Sequence, residues 1–208
     1  MDFTLLNRIT ILCARRNSGK SELLRSLVED HKDEFYRIFV ICPTEKVNGF
    51  YEKAGIVAPE NIRDSWSEEW ATKLIDNMTK LSKTSKKHVL LIMDDLVGDL
   101  NFRKSKTINT LFARSRHINI SLIIAVQYLH TINPLQRNNA DWVLVGQMNS
   151  HSIEILCEEY IAKMSKKEFI ELYNRATKNY SFLLINNNSV KTDSLDELYQ
   201  IVRCELKK

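Results

Sequence analysis

Ile9-Thr-Ile-Leu-Cys13, followed by Ala14-Arg-Arg-Asn-Ser-Gly19-Lys20-Ser21 and then Glu22-Leu-Leu-Arg-Ser-Leu27, is the stretch that decides the fold. The first run is apolar and β-branched, as a buried strand is. The polar octet that follows reads as a loop, and leucines at 23, 24 and 27 mark one face of a helix. Strand, loop ending in Gly-Lys-Ser, then helix is the context that a phosphate-binding P-loop needs. In that chemistry, backbone N–H groups at the helix N-terminus surround the β-phosphate, Lys20 reaches the β/γ oxygens, and Ser21 offers a hydroxyl to Mg²⁺. Ala14, Arg15, Arg16, Asn17, Ser18, Gly19, Lys20, Ser21 and Glu22 are therefore expected to bind ATP with Mg²⁺. The first motif position is Ala14 in place of glycine, so the backbone there is expected to stay out of the positive-φ region.

A second run, Val89-Leu-Leu-Ile-Met93, ends in Asp94-Asp95 about seventy residues after the loop. A strand ending in an acid delivers a carboxylate to the metal side of a nucleotide site. Asp94 is assigned to the metal with Ser21, and Asp95 to orienting or deprotonating the attacking water. A third buried run, Ser121–Val126, is closed by Gln127. An amide at that strand end can sense the γ-phosphate or position the water.

Around these motifs the 208 residues carry 44% hydrophobic and 27% charged side chains. That suits one α/β domain over residues 1–208, burying roughly 70% of its unfolded surface. No apolar run reaches the roughly 18–20 residues of a membrane span, and Met-Asp-Phe-Thr lacks the basic start of a signal peptide. Cys13, Cys42, Cys157 and Cys204 form no C-x-x-C pair and read as reduced thiols of an intracellular protein. The net charge of +4 is unevenly spread. Leu100–Ala140 contains no Asp or Glu but six cations, namely Arg103, Lys104, Lys106, Arg114, Arg116 and Arg137, which leaves −2 for the rest. A basic segment in a near-neutral body points to a polyanion partner beyond the nucleotide.

Strands are expected at Ile9–Cys13, Arg37–Cys42, His88–Met93, Ser121–Val126, Trp142–Val145 and Ser181–Ile185. Helices are expected between them. Ser65-x-x-Glu68, Ser165-x-x-Glu168 and Ser194-x-x-Glu197 read as capping boxes, the last opening a helix through Leu195, Leu198 and Val202. Lys106–Ala113 and Ser152–Tyr160 complete the set. Strands alternating with helices give a mostly parallel sheet.

The combination resembles the FtsK–HerA superfamily of ring ATPases, in particular the genome-packaging ATPases of large eukaryotic DNA viruses and their virophage- and polinton-like relatives. The residues that carry the resemblance are Ala14–Ser21, Ile38–Thr44 with its Pro-Thr, Met93–Leu96, Leu111–Ser121 with Arg116-His117-x-x-Ile-Ser, Gln127, and Arg137–Asp141. The resemblance implies a RecA/ASCE-type P-loop domain with the Gln127 strand between the P-loop strand and the Asp94 strand. It also implies translocation of double-stranded DNA without sequence preference, and capsid vertex proteins as partners. The working unit would be a ring of about five or six copies. ATP would then lie at subunit interfaces, with an arginine reaching across from a neighbour. Arg116 and Arg114 are the leading candidates and Arg137 the third, while Arg15 and Arg16 can act in cis.

A nucleoside monophosphate kinase shares the length and the early Gly-Lys-Ser. Pro43–Ile62, where such a kinase carries a substrate arginine, offers only Arg63 at its end, and adjacent acids are not expected on its metal strand. A switch GTPase needs an Asn-Lys-x-Asp segment, which is absent. For the DNA grip two sites stand open: Arg103, Lys104 and Lys106, or the cluster Lys80, Lys83, Lys86 and Lys87.

Overall fold

Every expected apolar run forms a strand, and two further strands join them. The computed structural model describes residues 3–99, 102, 104–188 and 194–203. Its strands are β1 (Ile9–Cys13), β2 (Arg37–Ile41), β3 (Ile62–Arg63), β4 (Val89–Asp94), β5 (Ile120–Val126), β6 (Trp142–Val145), β7 (Ser181–Asn186) and β8 (Tyr199–Arg203). The described helices are α1 (Lys20–His31), α2 (Glu45–Asn48), α3 (Phe50–Ala54), α4 (Glu68–Leu81), α5 (Lys106–Arg114), α6 (Pro134–Asn139), α7 (Ser150–Tyr160), α8 (Lys166–Ala176) and α9 (Leu195–Leu198). Strand order is β3-β2-β4-β5 in one part of the chain and β1-β6-β7-β8 in the other. The residues gather into two compact units, Thr4–Ile9 with Leu27–Ala125, and Thr10–Ser26 with the chain from Val126 onward.

In the first unit β3, β2, β4 and β5 are all parallel. All residues of β4 and β5 are buried, which is why both read as unbroken apolar runs. The distinctive Arg116-His117-x-x-Ile-Ser segment has a structural explanation at its end. Asn119 adopts a left-handed φ of 56° and closes the 3₁₀ turn Ser115–Ile118. Its carbonyl accepts from Val89 N–H at 3.0 Å, and Ser121 Oγ accepts from Asn7 N–H at 2.9 Å.

The start of α4 differs from expectation. Its N-cap is Ser67, whose hydroxyl accepts from Trp70 N–H, and not Ser65. Glu68 is drawn away from any capping box. Its carboxylate accepts from Trp66 Nε1, Ser105 Oγ and Thr107 at the N-terminus of α5. Burial raises the Glu68 pKa, but the hydrogen bonds from Ser105, Thr107 and Trp66 prevail and hold it down at about 2.

In the second unit β6 runs parallel to β1, and β7 and β8 are antiparallel additions. The helix expected through Val202 is only the single turn α9, and Ser194 makes no side-chain cap. Val202 instead sits in β8 opposite Phe182, because pairing with the free edge of β7 outweighs the local helical pattern. The boxes at Ser165/Glu168 and, unforeseen, at Asn133/Gln136 are formed. Cys13, Cys42 and Cys157 are free and buried, and Cys204 lies outside the described residues. Burial pushes the Cys13 thiol up to about 12 against the opposing charge of Lys20. Among the described residues no helix is long and apolar enough to cross a membrane.

Candidate nucleotide site

The loop between β1 and α1 is shaped by two left-handed residues, Asn17 at φ 58° and Gly19 at φ 85°. Left-handed residues between right-handed ones turn successive N–H groups toward one side, the concavity that holds an oxyanion. Ser18 Oγ donates to the Arg15 carbonyl at 2.6 Å and closes the loop on itself. Lys20 and Ser21 then open α1, where unsatisfied N–H groups and the helix dipole both favour a phosphate. Glu22, in the first turn, pairs with Arg25 at 2.7 Å.

Ala14 keeps its φ out of the positive region, as expected. The structure also shows why a methyl is tolerated there. Ala14 is fully buried, and a Cβ built on Gly146 would lie 2.9 Å from the Ala14 Cβ and 2.7 Å from Phe182 Cε1. Gly146, having no side chain, leaves the room that the Ala14 methyl occupies.

Residues that the sequence did not single out support this loop. Arg15 N–H donates to the Gln147 carbonyl at 2.8 Å, and its guanidinium donates to Gln147 Oε1. Tyr173, buried, donates its hydroxyl to the Gly146 carbonyl at 2.9 Å and accepts from Met148 N–H at 2.9 Å, fixing both flanks of Gln147. Arg15 and Arg16 are both exposed, and Arg15 is the one bonded to Gln147. Tyr180, itself left-handed at φ 59°, lays its ring beside Gly19. Gln127 belongs to the same unit; the residue before it, Val126, accepts from Ala14 N–H at 3.1 Å. None of these contacts leaves a local signal, because each joins residues far apart in sequence.

In the other unit Asp94 ends β4 and is 7% exposed. Tyr51 donates its hydroxyl to Asp94 Oδ2 at 3.0 Å. Asp95 takes a left-handed φ of 57° with its N–H on the Ala125 carbonyl, so the two acids leave the strand in different directions. A non-glycine residue held there is strained, and such strain gathers at functional positions. The Ser21 hydroxyl and the Asp94 carboxylate, each taken in its own unit, are hard oxygens of the kind that Mg²⁺ accepts. They would not suit a soft metal.

The arginines divide. Arg137 is corrected: it cannot serve as a finger. It is 6% exposed, its Nε and Nη2 bind Glu159 at 2.6 and 2.5 Å, and Nη1 donates to the carbonyls of Ile132 and Leu129. That ion pair holds α6 to α7, and freeing the side chain would leave Glu159 without its partner. Arg114 and Arg116 are exposed at the end of α5 and in the turn before β5. Val89 of β4 pairs with Ile120 of β5, and Asp94 with Ala125. Both arginines therefore stand at the sheet edge opposite Asp94, roughly 16 Å away along the strands. They are beyond reach of their own Asp94.

Lys104 and Lys106 are exposed at the acid edge, where α5 begins, and Arg103 lies outside the described residues. Between them and Asp95 the chain is anchored at Asp99, whose carboxylate accepts from Trp66 N–H at 2.9 Å and Phe102 N–H at 3.2 Å. The lysine cluster lies at the far edge; Lys87 sits 4.0 Å from the centre of the Tyr36 ring, just before β4.

With this geometry in hand, comparison with known proteins gives a consistent result. The family model described as poxvirus A32 protein matches residues 6–202. An uncharacterized protein of Invertebrate iridescent virus 6, 075L, is 27% identical over 86% of this chain and 70% of its own length. Protein 015R of Frog virus 3, also uncharacterized, is 23% identical over 91% of this chain; the match spans 59% of that protein. Among solved structures, B204, the DNA-packaging ATPase from Sulfolobus Turreted Icosahedral Virus, superposes with a TM-score of 0.70 at 17% identity, covering 96% of this chain and 98% of that one. B204 of the related virus 2, in complex with AMPPCP, gives 0.67 at 20% identity over 95% and 97%. At such identities the solved structures establish the shared fold.

Proposed function

The chain belongs to the poxvirus A32 protein family, matched over residues 6–202, and from that footing we propose that it is the ATP-hydrolysing motor that drives double-stranded DNA into a viral capsid. The observation that carries the reading is the loop Ala14–Ser21, whose left-handed Asn17 and Gly19 gather N–H groups at the start of α1. B204, which shares the fold, is a DNA-packaging ATPase and has been solved with AMPPCP. A nucleoside monophosphate kinase is not favoured, since neither the family nor these neighbours point that way.

In the proposed chemistry residues 1–208 act as one P-loop domain. The loop N–H groups and Lys20 hold the phosphates, and Ser21 and Asp94 hold Mg²⁺, which would neutralise charge on the β/γ oxygens. Asp95 orients and deprotonates the attacking water, and Gln127 senses the γ-phosphate. Arg116, or Arg114 beside it, completes the site of a neighbouring copy in a ring, and Arg15 and Arg16 are the cis candidates. The protein works inside the infected cell, with capsid vertex proteins as its docking partners.

DNA is held by phosphate contacts from Arg103, Lys104 and Lys106. Replacing all three with Ala weakens duplex binding equally for unrelated sequences, because phosphate contacts carry no base information. The log–log salt slope on B-DNA flattens by about 0.9 for each phosphate that the protein no longer neutralises, and stimulation of hydrolysis by DNA falls. A triple variant with the parent's affinity and slope moves the grip to Lys80–Lys87.

A further inference from the structure

Tyr51 is a large, fully buried side chain in contact with a proposed site residue, and the chemistry above gives it no task. It lies in α3, and its hydroxyl donates to Asp94 Oδ2 at 3.0 Å. Its own position is fixed from behind. Glu45, 7% exposed, accepts Tyr51 N–H on Oε1 and Oε2 at 2.9 and 3.2 Å and Glu52 N–H on Oε1 at 2.9 Å. These are N–H groups of the first turn of α3, which has no side-chain cap of its own. The left-handed Gly49, φ 57°, folds α3 back so that Glu45 can reach them.

Glu45 opens α2 directly after Cys42-Pro43-Thr44, at the end of β2. There β2 is registered beside β4, with Ile41 opposite Met93, the residue before Asp94. Two adjacent strand ends thus carry the acid and the glutamate that seats the acid's donor. A buried phenol and a buried carboxylate each need hydrogen-bond partners, and this bond supplies one to each. Because the donor sits on Oδ2, it favours one rotation of the carboxylate plane.

We propose that Tyr51 is a positioning residue for Asp94: its hydroxyl sets the carboxylate in the orientation that holds the metal of Mg²⁺–ATP, and Glu45 keeps Tyr51 in place. The inference rests on the reading of Asp94 as the metal acid. Donors behind a ligating carboxylate are part of the metal site, and their removal typically weakens metal affinity or activity by about 10–100-fold.

The test uses the full chain, Mn²⁺ as the probe followed by electron paramagnetic resonance, and saturating AMPPCP. Tyr51→Phe keeps the ring and removes the hydroxyl. It should bind nucleotide in EDTA as the parent does, yet bind Mn²⁺ about tenfold more weakly in the nucleotide complex. Asp94→Asn should weaken Mn²⁺ binding at least as much. The double variant should bind Mn²⁺ no more weakly than Asp94→Asn alone, since the two side chains act through one bond; a merely structural tyrosine would give additive effects. Parent-like Mn²⁺ affinity in Tyr51→Phe, with weakened affinity in Asp94→Asn, overturns the positioning role and leaves the metal reading intact. Parent-like affinity in Asp94→Asn overturns both. If Tyr51→Phe does not fold, Glu45→Ala, which removes the acceptor that seats Tyr51, takes its place: a severalfold weaker Mn²⁺ affinity supports the proposal, and an unchanged one overturns it.

Discussion

Lys20→Ala reduces ATP hydrolysis to background while the protein stays folded. Lys20 begins α1 at the mouth of a loop whose N–H groups are gathered by Asn17 and Gly19. In P-loop chemistry its ammonium neutralises charge on the β/γ oxygens as it builds in the transition state, a role no N–H group can take over. Alanine is a good helix former and the side chain is not in the core, so stability should move by about 0.5 kcal/mol or less. The pair of measurements is a steady-state ATPase rate and a thermal melt. Parent-like turnover in a folded Lys20→Ala protein contradicts the P-loop assignment outright.

Arg116→Ala binds ATP normally but hydrolyses it about 10³-fold more slowly, within the range assigned to arginines supplied in trans. The geometry sets this side chain too far from its own Asp94 to act there in cis. The parallel register of β4 and β5 sets Arg116 at the edge opposite its own Asp94. Mixing Arg116→Ala with Lys20→Ala protein then restores part of the activity, because some interfaces join an intact loop to an intact arginine. The check is the ATPase rate of mixtures shown to co-assemble. Absence of rescue with Arg116 and Arg114 variants alike removes interfacial catalysis from the account.

What the sequence made legible was local. The P-loop, the Asp94–Asp95 strand end and the six buried strands each announce themselves within a few residues, as apolar runs and turn chemistry do. Contacts between distant segments left no such trace. Ser65 and Ser67 both offer a cap ahead of α4, and which one is used depends on Glu68 being claimed by Ser105 and Thr107. Val202 fits a helix by spacing and a strand by pairing, and the edge of β7 decides. Arg137 belongs to the acid-free basic segment and reads as available, yet Glu159, twenty-two residues on, buries it in an ion pair. Ala14 departs from its motif, and the room that Gly146 leaves for its methyl is visible only once β1 and β6 are paired. Tyr51 is the same case at the acid end. A tyrosine in a short helix says nothing until β2 is placed beside β4.

The claim that this chain is a DNA-driven ATPase is met most directly by its rate of ATP hydrolysis with and without duplex DNA, with a nucleoside monophosphate acceptor tested in parallel. The account predicts Mg²⁺-dependent release of inorganic phosphate that rises with duplex DNA of any sequence and falls with salt, and no phosphoryl transfer to the acceptor. Hydrolysis indifferent to DNA, or a γ-phosphoryl group delivered to the nucleoside monophosphate, would contradict it.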